Sequence, residues 1–152
     1  MSASGSQPLR FIERDESSRA QDLGTSRFVI TLAPTWQRVE RGIFRLDNVA
    51  FNEVSLEIGT GSGWHCMSIS GGRDGRVLCC VGVPGNNTGG IAFRELTNPS
   101  LGDAPFEQNP GGILTVRPAR FSVQRDLALR AARWFFDHHD IAPDLAWVTT
   151  IR

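Results

Sequence analysis

Apolar and polar positions change rhythm several times along the chain. Residues 1–25 are rich in Ser, Gln, Arg, Asp and Glu. They are expected to form a flexible N-terminal arm ahead of a single domain over 26–152. "RFVITL" (27–32) then has the β-branched and aromatic content of a short strand. In "APTWQRVERGIFRLDN", Trp36, Val39, Ile43 and Leu46 recur at helical spacing with charges between them. An early short helix is expected there, weakened by Gly42.

The middle third switches to period two. "EVSLEIGT" places Val54, Leu56 and Ile58 on one face. "GWHCMSISGG" alternates likewise, "GRVLCCVGVPG" is nearly continuously apolar, and "GGIAFREL" is a fourth strand candidate. The joins "GTGSG", "SGGRDG" and "PGNNTGG" are rich in residues that tolerate the positive φ of tight turns. Short turns between successive strands describe an antiparallel meander. Residues 97–112 read as a long Pro/Gly loop, and "ILTVRP" (113–118) as a fifth strand.

"SVQRDLALRAARWFFDHHD" carries the clearest helical pattern, with Val123, Leu127, Ala131, Trp134, Phe135 and His138 in one stripe. Ser122 is the expected cap, and Pro143 lies just past the end. "LAWVTTI" (145–151) closes the chain as a strand. The expected class is α+β: a single domain with an antiparallel meander of about five to six strands, an early short helix and a long C-terminal helix packed on one face.

Composition narrows the chemistry. Sixteen basic and sixteen acidic residues cancel, so no whole-protein field favours nucleic acid or an anionic membrane. Every basic residue is Arg, and Tyr is absent. Arg-only usage points to a high-GC bacterium, and its planar guanidinium suits protein interfaces. The N-terminal stretch has no apolar core of a secretory signal, and no window is apolar enough to span a bilayer. A cytoplasmic location with reduced Cys66, Cys79 and Cys80 is the expectation.

Adjacent helical residues point about 100° apart, so His138 and His139 do not make a metal site from a regular helix. Cys79 and Cys80 are adjacent rather than two apart, and no metal is expected. A nucleophile–base pair of Cys66 with His65 is blocked locally, because neighbouring strand residues face opposite ways. Cys66 with His138 stays open at this level. "GTGSG" and "GNNTGG" lack the Lys and the following helix of a phosphate loop. Asn86-Asn87-Thr88 fits a glycosylation acceptor, which the expected location sets aside.

Taken in order, "VSLEIG", "GRVLCCVG", a Gly-rich turn and "FSVQRDLALRAARWFFDHHDIAPDLAWV" resemble the first-numbered immunity-protein family of bacterial polymorphic toxin systems. The resemblance covers roughly residues 35–150 and lies in element order: a sheet of short strands, a last helix (122–139), a turn with Pro143 and a strand with Trp147. It implies a cytosolic protein that binds a cognate toxin domain, often a nucleic-acid deaminase or nuclease, and occludes its active site. It also implies a monomer in a one-to-one complex, with no catalytic residues, cofactor, metal, nucleic-acid or membrane contact. On this reading "WFFDHHD" is structural, with Trp134 and Phe135 packed on the sheet. A toxin that handles nucleic acid has a basic groove, so carboxylates on exposed loops would complement it. Loops 84–90 and 97–112 supply Asn86, Asn87, Asp103, Phe106, Glu107 and Gln108 as the expected toxin-binding residues. The competing readings are a chaperone or adaptor for a secreted effector and a small Cys/His-dependent enzyme.

Overall fold

Alternating burial along "EVSLEIGT" organises the centre of the molecule: Val54, Leu56 and Ile58 point into the core, while Glu53, Ser55 and Glu57 lie on the opposite face. The computed structural model describes residues 8–17, 27–60, 63–83 and 92–151. In chain order its strands are β1 (Arg10–Asp15), β2 (Arg27–Leu32), β3 (Glu53–Thr60), β4 (Gly63–Gly71), β5 (Arg76–Val83), β6 (Ala92–Leu96), β7 (Pro105–Gln108), β8 (Thr115–Pro118), β9 (Val123–Gln124) and β10 (Trp147–Ile151). The helices are α1 (Trp36–Phe44) and α2 (Arg125–His138).

The main sheet runs β10-β6-β5-β4-β3-β1-β2, with β9 added beside β5. Every strand pair is antiparallel, and β3 to β6 form the expected meander. Both helices pack on one face over Phe11, Leu56, Met67, Ile69, Val77, Cys79, Val81 and Leu96. They also touch each other, with the Trp36 and Phe136 rings edge to face at 5.7 Å. The α+β class, the early helix and the closing helix on one face are as the pattern indicates.

Four expectations are corrected. Residues 10–15, assigned to a flexible arm, form an interior strand between β2 and β3. Its inward positions are Phe11 and Glu13, both buried. A charged residue at a core position hid the period-two pattern. Glu13 is tolerated inside because Arg38 and Arg45 both donate to its carboxylate, Arg45 at 3.0 Å. The second correction concerns residues 97–112 and "ILTVRP". Among the described residues strand β8 does not join the main sheet; it pairs with β7, which lies inside the stretch expected to be loop. Short strands flanked by Pro and Gly carry too few residues for a periodicity signal.

Third, Ser122 does not cap α2. The N-cap is Gln124, without a side-chain bond, and Ser122 is buried with its hydroxyl 3.4 Å from the Gln108 amide. Fourth, Trp134 does not pack on the sheet. The core face of α2 is Ala128, Ala131, Ala132 and Phe135. Trp134 is half-exposed and stacks on the His138 ring at 3.9 Å. "WFFDHHD" is a helix terminus: His139 adopts φ 57°, and its amide donates to the Phe135 carbonyl at 2.8 Å. The His138 ring nitrogen lies 3.2 Å from the Trp134 carbonyl.

Gly42 has a packing role that outweighs its weak helix propensity. A Cβ there would stand 2.5 Å from Cζ of Phe11 and 2.9 Å from Oε1 of Glu13. The missing side chain lets α1 settle onto β1.

Candidate functional site

The face of the sheet opposite the helices is partly roofed by the β7–β8 hairpin. Four tethers hold that roof. Arg117 of β8 grips the buried Glu95 of β6 with both guanidinium nitrogens, Nη2 at 2.9 Å from Oε2. Gln108 of β7 accepts from the backbone amides of Gly72 and Arg73 at 3.2 and 3.1 Å, and donates to the Arg76 carbonyl at 2.9 Å. Asn109 donates its amide to the Asn48 side chain at 2.7 Å. Arg14 donates to the Gly111 carbonyl. Side-chain amides and guanidiniums that satisfy buried backbone groups fix a loop in one position.

These bonds sort the expected contact residues. Asn86 and Asn87 lie outside the described residues. Gln108 is buried with its amide engaged, so it positions the hairpin and is not available to a partner, correcting that expectation. Glu107 and Asp103 are exposed; Glu107 pairs with Arg73 at 3.2 Å and Asp103 with Arg120 at 3.3 Å. Such surface pairs are weak and yield readily to another charge. Phe106 is half-buried beneath Arg76, whose guanidinium carbon is 4.1 Å from the ring centroid.

Glu107 opens onto a groove of about 510 Å³. The α1–β3 loop lines it with Asp47, Asn48 and Val49, the β4–β5 turn with Gly72, Arg73 and Asp74, and the hairpin with Glu107 to Asn109 and Leu114. Charged groups here are three carboxylates (Asp47, Asp74, Glu107) against one guanidinium (Arg73), so the groove is acidic in a neutral chain. Asp47 shapes one wall by accepting from the amides of Val49 and Phe51, each at 2.9 Å. Asp74 shapes another at φ 55°. Two apolar side chains stand in it, Val49 at 72% and Leu114 at 64% exposure, and Ile113 and Val116 are exposed beside them. Isolated apolar anchors with a charged rim are the composition of a protein-contact surface. The strand expected over "ILTVRP" gives no sign that its apolar residues are exposed.

Thiol chemistry takes a different shape from the expected alternative. Cys66 lies on the sheet face opposite α2, so it does not meet His138. Burial, with Glu57 and Cys80 nearby, pushes the Cys66 thiol up to about 12. Burial, reinforced by Cys80, also holds the Cys79 thiol well above its ordinary range. Both stay protonated at neutral pH, the reverse of an activated nucleophile. Among the described residues, no three His, Cys, Asp or Glu side chains are grouped to hold a metal. No helix there is long and apolar enough to cross a membrane.

Two other hollows differ from the groove in charge. One of about 210 Å³ sits under the hairpin among Ser68, Ser70, Cys80, Thr115 and the Glu95–Arg117 pair, whose charges neutralise each other. Another of about 460 Å³ lies beside α2, around Trp134, Pro143 and Leu145. Its charges are paired off as Arg130–Asp144 at 3.0 Å and Arg133–Asp137 at 2.9 Å. No protein-family model, curated protein or solved structure matches the chain.

Proposed function

We propose that this chain is an immunity protein: it binds a cognate secreted toxin domain, of the nucleic-acid deaminase or nuclease kind, and occludes its active site. The observation that carries the reading is the acidic groove walled by the tethered β7–β8 hairpin. An inhibitor of a nucleic-acid enzyme must fill a cleft built for phosphates, and carboxylates are the groups such a cleft attracts. Glu107, Asp74 and Asp47 supply them. Val49 and Leu114 supply desolvated anchors among the charges, and Asp103 and Phe106 extend the surface along the hairpin. Four side-chain tethers hold the hairpin before any partner arrives, which lowers the entropy lost on binding. Element order supports the same reading through its resemblance to the immunity family.

The test is capture from the producing bacterium with this protein as bait, followed by assay of the captured domain. The reading predicts one stoichiometric partner whose nucleic-acid activity falls to background as this protein is added to equivalence. A partner that keeps its activity when saturated would overturn it.

A further inference from the structure

We propose that β2 is the seam of a homodimer, in which two copies join edge to edge across a two-fold axis through Ile30. The inference does not rest on the toxin reading.

Strand β2 is the last strand of the sheet on its side among the described residues. Its outward groups follow from the register. Leu32 lies opposite Arg10, so Ala33 lies opposite Leu9, and the Ala33 amide donates to the Leu9 carbonyl at 2.9 Å. That pair is therefore hydrogen-bonded, and bonding alternates along an antiparallel ladder. Thr31, Val29 and Arg27 bond inward to β1, while the amides and carbonyls of Leu32, Ile30 and Phe28 point away from the sheet. The residues whose backbone groups have no partner among the described residues thus carry Phe28 at 53%, Ile30 at 56% and Leu32 at 66% exposure. All three side chains share the face that bears Ile12.

Pairing β2 with itself about Ile30 places Phe28 against Leu32 of the second copy, Ile30 against Ile30, and Leu32 against Phe28. Each is a hydrogen-bonded pair, and each is apolar on apolar. The strand's one charge, Arg27, falls opposite Ala33, so no like charges meet. Edge pairing sets the facing flanks of these three side chains against one another and adds a ladder of backbone hydrogen bonds between the two copies. Edge strands normally carry charges, Pro or bulges that prevent such pairing, and residues 28–32 carry no charge and no Pro. The isologous contact closes on itself and leaves no further β2 edge free.

Sedimentation velocity over a wide concentration range tests the seam, with hydrogen exchange on the same samples. Wild type is expected to sediment as a dimer that dissociates on dilution, with the amides of Phe28, Ile30 and Leu32 losing protection together as it does. Ile30→Arg opposes two guanidiniums at the axis and should weaken association by about tenfold or more. Val49→Arg, a change at an exposed apolar site elsewhere, should leave the dimer intact. A wild type that stays monomeric overturns the proposal. So does a dimer that survives Ile30→Arg in a folded variant, or one whose β2 amides exchange independently of concentration. Protection that arises only when a different protein is added assigns the edge to that partner and overturns the second-copy seam.

Discussion

Replacing Gly42 with Ala sets two effects of opposite sign against each other. In an exposed helix the change would stabilise by about 1 kcal/mol, from better helix propensity and a less flexible unfolded chain. Here the new methyl would meet Cζ of Phe11 at 2.5 Å, with Cε1 of Phe11 and Oε1 of Glu13 at 2.9 Å. Phe11 is fully buried, so its ring has no solvent to move into. Glu13 is held by two guanidiniums, so it recoils only by lengthening those bonds. Overpacking of this kind costs about 1–3 kcal/mol, and the contacts on the buried ring place this case at about 3. The expected net is a loss of about 2 kcal/mol. For a chain of this size that lowers the melting temperature by roughly 4–8 °C. Urea unfolding followed by circular dichroism measures it directly. Adding Phe11→Leu removes the ring that clashes, so the double variant should lose less than the sum of the two singles. A Gly42→Ala variant as stable as wild type would refute the packing of α1 on β1 through this glycine.

Three further outcomes follow from buried polar and titrating groups. Arg38→Ala with Arg45→Ala strands the buried Glu13 carboxylate and should cost about 3–5 kcal/mol, whereas Glu13→Gln leaves two part-exposed guanidiniums free to turn to water and should cost about 1–2; urea midpoints in the reverse order would contradict the arrangement. Gln108→Ala leaves the Arg73 amide without its acceptor, while the Gly72 amide keeps the Arg76 carbonyl at 3.0 Å, and should cost about 1–3 kcal/mol, with hydrogen exchange accelerating through 105–118; an unchanged hairpin would contradict the tethering role of Gln108. Alkaline pH should expose the thiols. The folded-state pKa of Cys66 is raised to about 12 and that of Cys79 well above its ordinary range, so their stability contribution is intact below about pH 8.5 and is lost as pH climbs toward 12. The chain has neither Lys nor Tyr, so these thiols dominate that window. Melting temperature should fall from about pH 9 upward, and a Cys66→Ser, Cys79→Ala variant should flatten the fall; a wild-type profile that stays level would contradict the burial of the thiols.

Long periodic segments could be read from the chain because burial acts on every second or every third to fourth residue of them. Helix α2 and strands β3, β4 and β5 are of this kind. Strand β1 escaped because a core position holds Glu13, and its partners Arg38 and Arg45 are far away in sequence. The hairpin escaped for another reason. Each of its strands has four residues, and it is held by side-chain bonds to distant backbone atoms rather than by an apolar face. That misreading carried into the candidate site. Glu107 and Asp103 are exposed carboxylates, as the loop reading expects, whereas Gln108 is buried, and the exposure of Ile113, Leu114 and Val116 has no signal in the strand pattern. Val49, Asp47 and Asp74 reach the groove only through the turn of the chain between α1 and β3 and the β4–β5 connection. No periodic signal marks residues brought together in that way.

The most direct measurement is the hydrogen-exchange footprint of the captured toxin domain on this protein, taken with wild type and with a Glu107→Arg, Leu114→Arg variant. Binding through the groove predicts protection confined to residues 47–49, 72–74 and 105–116, and loss of both footprint and inhibition in the variant. Protection centred instead on the Trp134 hollow beside α2, or inhibition undiminished in the variant, would contradict it.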